Sequence, residues 1–190
     1  MAAFGCVMVY SASSYVGEVL YDDVFFFVTK QLVGGAIGLL AMVAAAFVPY
    51  KKLAALKYPL AALAAVLLAL VFVPGIGVTN YGATRWIGLG SLTIQPSEIA
   101  KYAFVLFAAA HFAKNYGRAR SFKGVAPVLA LGVVYCVLII AEPNMSITMC
   151  VGLLMLALVF ISGTNLKTFA VMLVPCVVAV PVLIALEPYR

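Results

Sequence analysis

The sequence predicts an all-α polytopic membrane protein, and three observations carry that reading. Apolar residues make up 66% of the chain against 9% charged, and the mean hydropathy of +1.18 exceeds that of a soluble domain of this length. The apolar residues fall into runs approaching the roughly 20 residues that span a bilayer, separated by short polar loops. The basic residues collect in alternate loops and not on an aromatic-studded soluble face, so the net charge of +6 reflects topology and no nucleic-acid partner.

Seven segments follow in order, the first partial. The run from Ala2 to Tyr10 is short for a span and has no basic stretch before it as a secretory leader would, so either the first helix is incomplete or its start lies upstream. Glu18, Asp22 and Asp23 make an acidic loop, and Lys30 opens a second run that ends at Pro49. The third covers about Leu53 to Val73, with Pro59 near its entry and Pro74 and Gly75 closing it. After a long polar interruption come Pro96 to about Phe112, Val125 to Ala141, Ser146 to Ile161, and Leu166 to Leu186, the last broken by Pro175 and Pro181. The whole reads as one membrane domain with no soluble domain.

Loop charges orient these segments. Lys51, Lys52 and Lys57, then Lys114, Arg118, Arg120 and Lys123, then Lys167 fall on one side with no acidic residue among them. By the positive-inside rule that side is cytoplasmic, and the N-terminus with it. Lys30, Arg85, Lys101 and Arg190 lie on the other side with all six acidic residues, so charge chemistry belongs to the outer face. Cys6, Cys136, Cys150 and Cys176 sit inside apolar runs without metal-ligand spacing and read as small hydrophobes. A single histidine, His111, excludes a cluster of imidazoles.

The interruption from Asn80 to Lys101, NYGATRWIGLGSLTIQPSEIAK, organises the rest. Its glycines and the Trp86, Ile87, Leu89 and Leu92 set suit an interfacial loop, not a helix. It runs into a helix with Pro96 as first residue, Gln95 as cap, and Glu98 placed to reach back to the free N–H groups. Lys101 follows Glu98 at i+3 on the same face. A carboxylate and an ammonium at the mouth of an apolar helix need a partner or a polar cavity; capping and snorkelling stand beside a functional site as readings of this pair. Further on, Asn144, Thr148 and Gly152 repeat at i, i+4 and i+8, a small and polar stripe fit for helix contact or a wet cavity.

RWIGLGSLTIQPSEIAK (Arg85 to Lys101), with GCVMVYSASS (Gly5 to Ser14), AEPNMSITM (Ala141 to Met149) and the terminal EPYR, resembles the SEDS family of shape, elongation, division and sporulation proteins. The likeness spans essentially the whole chain and is nearest the division and sporulation branch. It implies about ten membrane helices, of which about seven would be present here as the N-terminal part. It also implies polymerisation of lipid II into glycan strands outside the bacterial cytoplasmic membrane, together with a class B penicillin-binding protein and other divisome membrane proteins.

Carried over residue by residue, the resemblance places Arg85, Gln95, Glu98, Lys101 and Asn144 at a substrate-binding cavity. Arg85 would suit the pyrophosphate of a lipid-linked donor, because a guanidinium offers a fork of donors to phosphate oxygens. Trp86 reads as an interfacial anchor and Ser97 as a helix-start residue. Where relatives carry an aspartate and a glycine after the Pro of this motif, Pro143 is followed by Asn144, Met145 and Ser146. The family's essential aspartate falls in a loop after the seventh helix, so no catalytic residue is assigned within these residues. A divalent metal such as Mg is left open by the resemblance. A lipid II flippase or transporter, and a scaffold for the penicillin-binding protein, are the competing readings.

Overall fold

The computed structural model describes residues 2–80, 82–89, 92–174 and 177. Expectations on Tyr81, Gly90, Ser91, Pro175, Cys176, Pro181 and the terminal Glu187 to Arg190 lie outside them. The chain divides into two units, residues 1–52 and 53–190, and the helical, polytopic class expected from the sequence is what the structure has.

The first unit holds α1 (Ala2–Tyr21) and α2 (Phe26–Ala46), which pack on each other. The structure corrects the expected half helix: α1 is 20 residues long and is apolar enough to span from Ala3 to Tyr21. Ser11 to Ser14 carry no helix breaker, and serine's modest helix cost is absorbed in a long run. The acidic residues read as a loop finish the helix and start the next. Asp22 takes a left-handed φ of 54°, a conformation open to a short polar side chain, and the N–H groups of Asp22 and Asp23 return to the carbonyls of Glu18 and Gly17. Asp23 Oδ1 then accepts the Phe25 N–H at 2.8 Å, turning the chain into α2. Stacking of Tyr21 on Phe26, with ring centroids 3.8 Å apart, and of Tyr10 on Phe25 fastens the hairpin. No residue of α2 is buried within the described structure, as expected of a helix that faces lipid or other helices.

The division between the units falls within the short α3 (Tyr50–Ala55). The second unit contains α4 (Lys57–Leu70), three strands, α5 (Pro96–Lys114), a single 3-10 turn (Tyr116–Arg118), α6 (Phe122–Ala141), α7 (Met145–Ile161) and a further helical run over residues 166–174. Pro59 sits in the first turn of α4 and Pro96 opens α5, where a missing N–H costs nothing. Helix α5 is the hub, in contact with α4, α6, α7 and a strand. Ala100, Ala103, Phe104, Phe107, Ala108 and Phe112 recur at helical spacing and are buried. Against them pack Ala64 and Leu68 of α4, Val128 and Ile139 of α6, and Val151 and Met155 of α7. The buried Tyr135 finds a partner for its hydroxyl in the Ala61 carbonyl at 2.8 Å. A Cβ at Gly132 would stand 2.6 Å from Met155 Sδ and 3.1 Å from Phe104 Cε2, so this glycine sets the approach of α5, α6 and α7. At Gly152, the expected contact glycine, nothing lies within 4 Å of such a Cβ.

The interfacial loop expected over the interruption is instead an antiparallel sheet in the order β1 (Gly77–Asn80), β2 (Ala83–Leu89), β3 (Leu92–Ile94). Gly82 carries the first hairpin with a φ of 77°. The β1–β2 register pairs Val78 with Trp86 and Thr79 with Thr84, leaving Arg85 as the extra residue of a bulge. Thr79 and Thr84 share a hydroxyl hydrogen bond of 2.6 Å across the same register.

Candidate functional site

Three elements meet at one end of the second unit: the bulge in β2, the start of α5, and the turn Glu142–Pro143–Asn144 between α6 and α7. The bulge frees Arg85 from cross-strand pairing, and its guanidinium reaches that turn. Nε donates to the Glu142 carbonyl at 3.4 Å, and Nη2 donates to the Pro143 carbonyl. The fork expected to face a pyrophosphate thus holds two main-chain oxygens that the end of α6 would otherwise leave without partners.

From α5, Ser97 completes the grip. It is 0% exposed and its Oγ accepts from Gln95 Nε2 at 3.1 Å and from Asn144 Nδ2 at 3.3 Å. The Asn144 carbonyl accepts from Thr148 Oγ1 at 3.0 Å, and Cys136 Sγ leans on the Thr148 carbonyl at 3.9 Å. The polar stripe of α7 is therefore satisfied locally, with Asn144 and Thr148 each 5% exposed. A carboxylate at position 144 would reverse the bond and require Ser97 to donate.

Glu98 and Lys101 form a second, separate group one turn along α5. Lys101 Nζ lies 2.9 Å from Glu98 Oε2, with the lysine side chain 19% exposed and the glutamate 45%. This replaces the expected capping box: Gln95 occupies the cap position with extended backbone but bonds Ser97 with its side chain, and Glu98 turns to the ammonium. A full positive charge at i+3 outcompetes a main-chain N–H for a carboxylate.

The residue that sequence reasoning missed is Glu142. It is 1% exposed, and neither carboxylate oxygen has a hydrogen-bond partner among the described residues. Burial pushes its carboxyl up to about 8 from an ordinary 4.5, with nearby Arg85 pulling the other way. An acid directly before proline at the close of an apolar run was the available signal. A cavity of about 400 Å³ adjoins the turn, lined by Val71, Pro74, Thr79, Thr84, Ala141 and Pro143 among others. None of Gln95, Glu98, Lys101 or Asn144 lines it.

As a metal site these residues do not fit. No three His, Cys, Asp or Glu side chains converge among the described residues, Glu98 is taken by Lys101, and Glu142 stands beside a guanidinium. No step below is routed through a metal.

At the opposite end of this unit the ties come from an imidazole and two hydroxyls. His111 Nε2 pairs with the Gly124 carbonyl at 2.9 Å and its ring stacks on Phe107. Thr164 Oγ1 donates to the Ala119 carbonyl at 3.0 Å and shares a bond with Ser162. Lys114, Arg120 and Lys123 stay exposed there.

The chain is 32% identical over its full length to the probable peptidoglycan glycosyltransferase FtsW of Nitrosomonas europaea, covering 50% of that protein. It is 34% identical to the stage V sporulation protein E of Bacillus subtilis, over 89% of this chain and 46% of the relative. The chain thus spans about half the length of the curated relatives it matches. Among solved structures, the rod shape determining protein RodA of Thermus thermophilus superposes with a TM-score of 0.67 at 29% identity, over 93% of this chain and 58% of that one. A chain solved to describe structural coordination of polymerization and crosslinking by a peptidoglycan synthase complex gives a TM-score of 0.68 at 30% identity, over 98% and 60%. The model of a family described as a cell cycle protein, FtsW/RodA/SpoVE, matches residues 1–190, and the chain belongs to that family.

Proposed function

We propose that the protein carrying this chain is a peptidoglycan glycosyltransferase that polymerises lipid II on the outer face of the bacterial cytoplasmic membrane during division or septum formation. One observation carries the reading: the charged and amide side chains singled out by the family motif gather at a single end of the bundle. Ser97 joins Gln95 to Asn144, Arg85 holds the turn beside Asn144, and the Glu98–Lys101 pair stands on the same helix start. The probable FtsW relatives and the synthase-complex neighbour support it.

Glycosyl transfer needs a group to stabilise the departing pyrophosphate and a group to take the acceptor proton. Lys101 suits the first need: its ammonium is compact, partly exposed, and balanced by a carboxylate that a phosphate can displace. Arg85 contributes by fixing the turn. Glu98 is engaged by the Lys101 ammonium, so in this reading the proton acceptor lies elsewhere in the whole protein. A class B penicillin-binding protein is the partner that this reading implies, and the N-terminus is cytoplasmic.

The test is to give purified full-length protein labelled lipid II, with any glycosyltransferase of the partner excluded. Glycan strands support the transferase; scrambling of lipid II across a bilayer without strands would establish the flippase instead. Lys101→Ala is expected to lower strand synthesis at least tenfold.

A further inference from the structure

The two oxygens of Glu142 are the buried side-chain polar atoms that lack a partner among the described residues. Their nearest charge belongs to Arg85, which spends its donors on main-chain carbonyls of the same turn. An ionised carboxylate would bind a guanidinium in preference to either carbonyl, because charge-assisted bonds are roughly twice as strong as those to neutral acceptors. The observed arrangement is therefore the one expected of a neutral acid.

We propose that Glu142 is a positioning residue that governs the grip of Arg85: neutral, it leaves the guanidinium on the turn; ionised, it draws the guanidinium away and loosens β2 from the turn that carries Asn144. The proton passes to water. In its catalytic consequence the proposal rests on the glycosyltransferase reading; the proton-linked clasp itself does not.

The groups that face the turn allow this. Arg85 is the charged residue of β2, and β1 and β3 have none. Helix α5 brings Glu98 and Lys101, which neutralise each other. Towards this end α6 offers only Tyr135 and Cys136, bonded to the carbonyls of Ala61 and Thr148, and α7 offers only Cys150. Lys101 is taken by Glu98, and Lys114 and Lys123 sit at the far ends of α5 and α6, so Arg85 is the cation that acts on Glu142, and burial keeps its carboxyl at about 8.

The sign follows from proton linkage. A carboxyl whose folded value lies above its ordinary 4.5 contributes stability that is fully present below 4.5 and is lost as pH rises to about 8, after which the dependence is flat. The experiment compares full-length wild type with Glu142→Gln, which copies the neutral acid in shape and charge. Melting temperature is followed from below pH 4.5 to above pH 8, and strand synthesis from lipid II across neutral to alkaline pH. The difference in melting temperature between the two proteins should change across that window and level off above it. The turnover of wild type should fall as pH passes about 8 with KM unchanged, and that step should be missing from the Gln variant. Arg85→Lys, which cannot span both carbonyls, should behave at all pH values like alkaline wild type.

Parallel melting profiles for wild type and Glu142→Gln would overturn the proposal. So would failure of Glu142→Gln to fold, since it reproduces the side chain that the fold is proposed to hold. If wild type makes no strands, the glycosyltransferase reading fails while the melting profiles still decide the clasp.

Discussion

The two ends of the α5–α6–α7 bundle are fastened in opposite ways. At the end near residue 120, an imidazole and a hydroxyl make the ties, His111 to Gly124 and Thr164 to Ala119, while Lys114, Arg120 and Lys123 are exposed. At the other end the charges themselves are engaged: Arg85 on the turn, Lys101 on Glu98, and a carboxyl buried beside them. A free surface cation is compatible with a topology signal and little else. A cation held by main chain or carboxylate has been given a position, and position is what catalysis and recognition require.

The sharpest test of that contrast is all-or-none. In a cysteine-free full-length background, Thr93→Cys in β3 should react with an impermeant thiol reagent in intact cells, and Ser121→Cys should react only after permeabilisation. The reverse pattern would put the engaged charges on the cytoplasmic side. Next in size is Arg85→Ala, which removes two bonds from a charged donor at about 1.5–3 kcal/mol each. A thermal denaturation series should show that loss, whereas Arg120→Ala at the other end should stay within about 0.5 kcal/mol of wild type. Thr164→Val removes both the bond to the Ala119 carbonyl and the one shared with Ser162, and should cost about 1–3 kcal/mol by the same measurement.

The smallest expected effect on stability is at the Glu98–Lys101 pair. Burial of both charges would have made single removals costly, but Glu98 is 45% exposed, so solvent screens the pair to about 0.2–1 kcal/mol. Glu98→Ala and Lys101→Ala should therefore leave folding nearly intact while impairing growth complementation. A double-mutant cycle on complementation should be non-additive; additive losses would mean two unrelated roles.

Much of this was legible because a bilayer imposes length and polarity on sequence. The order of the apolar segments and the start of α5 at Pro96 followed from runs and breakers alone. The sheet did not: β1 and β3 have four and three residues, too few for an alternation to register, and the bulge at Arg85 disrupts the period of β2. Gln95, Glu98 and Lys101 are close in sequence, so their proximity could be read, though not Glu98's choice of Lys101 over the helix end. Arg85 meets main-chain atoms 57 and 58 residues away, and no residue type announces a carbonyl. Ser97 looked like an ordinary helix-start residue because a hydroxyl shared by Gln95 and Asn144 is defined by packing between helices.

That long separation also sets an order of assembly. When Arg85 leaves the ribosome, the carbonyls it will hold have not been made; at roughly 5–20 residues per second, the 57 residues to Glu142 take roughly 3–11 s. Throughout that interval β2 has only neighbouring strands to pair with, and the guanidinium is left to water or lipid phosphate. The sheet must hold its own register as a nascent hairpin, and the arrival of the α6–α7 turn closes the clasp after α4, α5 and α6 have been made.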